Sequence, residues 1–315
     1  MIPLAFVALA LLAPPGATTG RVTFRPGPAE AEVPAAFRLA EATYAYESRE
    51  LRVTPGYVVS AVRFPSPIVT ADVENNSVHA EYFRPTVPGR RRAVVVLHIL
   101  GADFALSRYL AARLADRGVA ALFVKLPYYG ERRPPGGEKR FLSTDVGRSV
   151  GSLRQGVLDV RRAGNWLADR PEVDPARIGV TGISLGGIVS SLAAAIDPSI
   201  HDAAILLAGG DLHEILWTMP EAARYRRLWV ESGRNKQDLQ DLLTPLDPMT
   251  YAQRLRGKRL IMFAGNVDEV VPPASARALW LAAGRPPITW LDCGHYSAAG
   301  YLLPAIRRTV DFFAD

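Results

Sequence analysis

From Ala93 onward the chain alternates short unbroken apolar runs with stretches in which apolar residues recur every three or four positions. Runs of this length predict strands buried on both faces, and the spacing between them predicts crossover helices, so together they describe βαβ units around a parallel sheet. The predicted strands are Ala93 to Ile99, Val119 to Lys125, Arg177 to Thr181, Ala203 to Leu207, Arg259 to Phe263 and Ile288 to Leu291. Leu106, Leu110 and Leu114 share one helical face, as do Leu153, Val157, Val160 and Leu167. Asp174-Pro175 reads as a turn ahead of the third strand.

Upstream the pattern is different. Tyr57 to Phe64 and Val78 to Phe83 predict antiparallel leading strands, separated by Pro65, Pro67 and Asn75-Asn76. Residues 21–56 show little periodicity and are expected to form an N-terminal arm, with one helix around Ala35 to Tyr46. The stretch between Leu207 and Arg259 is longer than one crossover needs. Its apolar residues, including Leu216, Trp217, Leu228 and Trp229, predict a mostly helical cap over about 211–256; the alternative is a crossover helix with an ordered surface loop.

Composition narrows the class. The chain has 315 residues, 49% of them hydrophobic and 22% charged, which suits one large globular domain, here 57–315. The net charge is +6, but the basic residues are scattered, four of them are lysine and no recognition motif accompanies them, so nucleic acid is not an expected partner. Residues 1–20 form an apolar run ending in small residues, which predicts a signal peptide and an exported protein, periplasmic or extracellular. No Lys or Arg precedes that run, so a buried start and a cytoplasmic protein is the other reading. No later segment is expected to insert stably in a membrane. Oligomeric state is not legible.

The candidate chemistry lies in Gly182-Ile183-Ser184-Leu185-Gly186, placed between a β-prone run and helical spacing through Ile188, Leu192 and Ala195. Strand, sharp turn and helix are what a nucleophile elbow requires. Glycines at 182 and 186 relieve crowding beside the turn, and the following helix points its N-terminal N–H groups at the serine, so Leu185 is the first candidate oxyanion donor. A serine nucleophile needs a base and an orienting acid. His295 follows the last predicted strand and is the candidate base. Asp268, in the loop before Pro272-Pro273, is the candidate acid, with Asp211 and Glu269 as alternatives. The loop after the first parallel strand would supply the second oxyanion N–H, from Leu100 or from Ile99. His98 in that loop is expected to shape it. The five histidines form no metal-ligand spacing, and no metal or cofactor is expected.

With these residues the chain resembles the α/β-hydrolase superfamily, in particular its dienelactone-hydrolase and acetyl-xylan-esterase-like branches. The resemblance runs from about residue 57 to 314 and is carried by the His98 loop, Gly182 to Gly187, Asp268 and His295. It is also similar to an α/β-hydrolase-domain family with a Pro-Tyr-Tyr-Gly sequence, here Pro127 to Gly130, and a Thr-Gly-Ile-Ser elbow, here Thr181 to Ser184. The fold this implies is a mostly parallel central sheet flanked by helices. The implied activity is hydrolysis of a small-molecule carboxylic ester through an acyl-enzyme. A serine peptidase of prolyl-oligopeptidase type and a non-catalytic binding protein are the alternatives. Dienelactone hydrolases carry cysteine where this chain has Ser184, which disfavours their reaction. Cys293 reads as a packing residue. Tyr128 and Tyr129 either line the pocket or pack at a strand end.

Overall fold

A computed structural model describes residues 17–101, 104–137 and 139–315; most of the expected signal peptide lies outside them. One ten-stranded sheet, in the order β1-β2-β3-β4-β6-β5-β7-β8-β9-β10, organises the chain. Its parallel half consists of β5 (Arg91–Leu97), β6 (Ala120–Val124), β7 (Val173–Ile183), β8 (Ile200–Leu206), β9 (Arg259–Gly265) and β10 (Ile288–Leu291). These are the six strands that the apolar runs predict. Strand β5 shows why such runs are unbroken: Ala93, Val95 and Leu97 pack on one face, Val94 and Val96 on the other, and each is at most 1% exposed.

Helices α2 (Val146–Ala168) and α3 (Leu185–Ile196) cover the first face, and α1 (Ala105–Asp116) and α9 (Ala299–Ala314) the second. The predicted stripe Leu153, Val157, Val160 and Leu167 is the buried side of α2. The turn expected at Asp174-Pro175 is absorbed as an excursion of β7: Arg91 pairs with Val173 but Ala93 pairs with Ile178.

The N-terminal reading needs correction. Residues 21–56 are not an arm with a helix at Ala35 to Tyr46. They belong to the sheet, as β1 (Ala17–Phe24) and β2 (Ala42–Val53), paired antiparallel and continued by β3 (Tyr57–Pro65) and β4 (Ser77–Pro85). Of the expected helix only a short turn at Ala35–Phe37 remains, with another at Pro28–Glu32 ahead of it. Residues 17–20, assigned to the end of the signal, are the first residues of β1. The segment between β1 and β2 is fastened to α2 by Arg161. This buried side chain binds Glu30 at 2.6 Å, Asp197 at 3.0 Å and the carbonyl of Phe37.

Between β8 and β9 the insertion is helical, with α4 (Leu212–Thr218), α5 (Ala223–Glu231), α6 (Lys236–Leu243) and α7 (Pro248–Tyr251). Its two ends meet at Asp247, whose carboxylate accepts the backbone N–H groups of Asp211, Leu212 and Met249. Helix α8 (Pro273–Ala282) begins at Pro273, where a missing N–H costs nothing. No helix among the described residues is long and apolar enough to cross a membrane.

Candidate active site

The loops after β5, β7, β8, β9 and β10 all leave from the carboxyl edge of the parallel sheet, where ligands bind in folds of this kind. Ser184 follows β7 directly and precedes α3, with φ 54° and ψ −118°. This left-handed conformation is held from both sides: Ser184 N–H donates to Leu206, and Ile188 N–H donates to the Ser184 carbonyl, both at 2.9 Å. The flanking glycines are required by contact. A Cβ at Gly182 would lie 2.4 Å from the Gly186 carbonyl carbon, and one at Gly186 would lie 2.7 Å from the carbonyl oxygens of Leu97 and His98.

Ser184, His295 and Asp268 form a hydrogen-bonded chain. Ser184 Oγ lies 2.8 Å from His295 Nε2, and His295 Nδ1 lies 2.8 Å from Asp268 Oδ2. An ionised carboxylate can only accept, so opposite Asp268 it is Nδ1 that carries the proton and the Nε2 lone pair faces the serine. The other oxygen of Asp268 accepts Val270 N–H at 2.9 Å and Val271 N–H at 2.7 Å, and the residue is 5% exposed. The two alternative acids are elsewhere. Glu269 takes the backbone N–H of His295 on Oε2 at 2.9 Å, a hydrogen bond that holds its carboxyl below the usual range. Asp211 sits at the base of the insertion, where its carboxylate, His213 and Asp247 lie within 4.8 Å of one another. Asp247 already accepts three backbone N–H groups there, so this cluster closes the insertion.

Leu185 is the first residue of α3, so its N–H has no acceptor inside the helix and lies next to the serine. Leu100 lies at the pocket with a half-exposed side chain. Its loop is shaped by His98 and Tyr129. Leu126 N–H donates to His98 Nε2 at 3.0 Å, which leaves Nδ1 to donate to the Ile99 carbonyl at 2.7 Å. Burial pushes the His98 imidazole down to about 4, so this neutral tautomer persists. Tyr129 packs edge-on against that ring, and its hydroxyl takes the Gly101 N–H; burial pushes it up to about 12.

Tyr128 lines the outer part of the pocket with a positive φ of 64°. That conformation is held by Asn75, which accepts Tyr128 N–H at 3.1 Å, and by Asp72, which accepts its hydroxyl at 3.0 Å. Arg132 donates to the Asn75 and Lys125 carbonyls and pairs with Asp159 at 2.8 Å, both charged side chains fully buried. Sequence reasoning missed this support. The available signal was an aspartate within the apolar stretch Val157-Leu158-Asp159-Val160 of α2.

Two cavities with a partly shared lining adjoin one another, and one of them reaches Ser184. The inner one, about 100 Å³, touches Ser184 and Leu185 and is lined by Leu153, Ile188, Leu212, Ile215 and Val271. The outer one, about 310 Å³, has Trp217, Tyr225 and Trp229 from the insertion together with Arg133, Arg140 and Arg226. Leu216 and Trp217 therefore reach the pocket wall, as the cap reading expects.

A family model described as alpha/beta hydrolase domain containing 18 matches residues 46–208. The chain belongs to this family. Strands β3 to β8, Tyr128 and the Ser184 elbow lie inside the matched part, whereas Asp268 and His295 lie beyond it. A model of the prolyl oligopeptidase family also matches residues 154–284. An uncharacterized protein of Mycobacterium tuberculosis strain H37Rv is 31% identical over 62% of this chain, and the match spans 46% of that relative's length. Among solved structures, the chain is similar in fold to an acetyl xylan esterase from Paenibacillus sp. R4, with a TM-score of 0.69 and 20% identity over 85% of this chain and 88% of that one. An acetyl xylan esterase from Thermoanaerobacterium gives a TM-score of 0.66 and 21% identity over the same shares.

Proposed function

We propose that this α/β-hydrolase cleaves carboxylic esters through Ser184, His295 and Asp268. The observation that carries the reading is the continuous hydrogen-bonded chain from Asp268 through His295 to Ser184, ending beside an apolar cavity. In this mechanism His295 Nε2 takes the Ser184 proton as Oγ attacks the ester carbonyl. The N–H groups of Leu185 and Leu100 receive the oxyanion. His295 then returns the proton to the leaving alcohol, and activates water to hydrolyse the acyl-enzyme.

A fluorophosphonate probe is expected to label the wild-type protein and not Ser184→Ala, and the same variant is expected to lose nearly all turnover of p-nitrophenyl esters. Ester cleavage near the wild-type level in Ser184→Ala would eliminate the reading, and absence of labelling in the wild type would favour a binding protein. The prolyl oligopeptidase match favours a second reading, a serine peptidase. Turnover of peptide amides with no ester preference would select it. Export remains our proposal for location, tested by fractionating cells that express the full chain.

A further inference from the structure

The inner cavity beside Ser184 is small and its lining almost wholly apolar, whereas the outer cavity is three times larger and carries arginines. They share part of their lining: Leu100 from the loop after β5, Phe141 and Leu142 from the segment before α2, and Leu216 and Met219 from the insertion. Side chains that line both spaces stand at the boundary between them. Met219 is 4% exposed and ends α4, so its position is set by the packing of the insertion.

We infer that the inner cavity is the acyl site, that its size limits the enzyme to linear acyl groups of about four carbons, and that Leu216 and Met219 set this limit. The inference rests on the ester-hydrolase reading above. The chemistry of the lining selects the acyl part: among the described residues that line the inner space only Ser149 and Ser184 are polar, and an apolar lining rewards hydrocarbon and penalises a hydroxylated or charged group. Volume supplies the limit. An apolar cavity of about 150 Å³ takes a six-carbon ring such as benzene, so one of about 100 Å³ suits about four carbons. A longer chain must pass this boundary, where Leu216 and Met219 block it while the insertion stays packed.

The test is kcat/KM for p-nitrophenyl esters from acetate to decanoate, measured on the wild type, Leu216→Ala, Met219→Ala and Ile188→Phe. In the wild type, kcat/KM should peak near butyrate and fall by about 10-fold or more by octanoate, since one unaccommodated methylene costs about 10- to 200-fold. Either alanine variant should raise the octanoate-to-butyrate ratio by about 10-fold, because it joins the two cavities. Ile188→Phe fills the inner cavity from α3 and should move the peak to acetate, which keeps the test decisive if Met219→Ala fails to fold. A wild type that accepts decanoate as readily as butyrate would overturn the limit. A limit unchanged in folded Leu216→Ala, whose half-buried side chain is the safer to remove, would overturn the role of this boundary. Failure of the underlying reading looks different: no ester of any length is turned over and no fluorophosphonate label is taken up.

Discussion

Asp268 and Glu269 are neighbours in sequence, yet their carboxylates grip His295 at different points. Asp268 holds the ring through Nδ1, and Glu269 holds the main chain through the N–H. The first contact fixes the tautomer and compensates the imidazolium; the second fixes where the loop carries the ring. Asp268→Asn is therefore expected to lower kcat by about 10⁴-fold. Glu269→Gln, whose amide oxygen still accepts the N–H, should stay close to wild type. Glu269→Ala should fall between them, in kcat more than in KM. Steady-state kinetics on the three variants checks this order, and a higher kcat in Asp268→Asn than in Glu269→Ala would reverse the assignment. The sequence makes Ser184 and His295 legible because their roles are tied to a motif and to the end of a strand. Choosing among Asp268, Glu269 and Asp211 needed the loop geometry, since all three follow strands.

At the scale of elements, legibility follows burial. Strands β5, β6, β8 and β9 carry unbroken apolar stretches because both faces are covered, so composition alone reveals them. Strand β2 carries no such pattern: of its twelve residues only Tyr44 is buried, and the strand is held by its ladders to β1 and β3. An exposed strand of this kind looks like a loop in sequence. The Arg132–Asp159 pair is hidden for the opposite reason, since its partners are brought together from distant parts of the chain. Removing one member strands a buried charge. Arg132→Met is expected to cost about 3–5 kcal/mol in urea unfolding. The double variant Arg132→Met with Asp159→Leu should recover much of that loss, and an Arg132→Met protein as stable as wild type would show that the pair contributes no fold stability.

For the molecule as a whole, His98 links stability to pH. Its ordinary value of 6.5 falls to about 4 in the folded protein, because burial disfavours the imidazolium. The unfolded chain therefore binds a proton between these values that the native state refuses. The resulting stability is complete above about pH 6.5 and is lost as pH falls towards 4, by about 3–4 kcal/mol at about 1.4 kcal/mol per pH unit. His79, half-buried and also pushed down to about 4, adds in the same direction. Urea unfolding midpoints should drop between pH 6.5 and 4.5, before carboxylate protonation dominates. A flat profile over that window would contradict the burial of His98.

Strand β10 has four residues, among the described residues pairs with β9 alone and stands at the margin of the sheet, yet the loop that follows it carries His295. Ser184, by contrast, is anchored between two central strands. Marginal strands open at lower free energy than central ones, and opening need not disturb the rest of the fold. Fraying at β10 would carry the base away from a serine that stays in place. On warming, such a protein loses activity reversibly while its core remains intact, and regains it on cooling without having to refold.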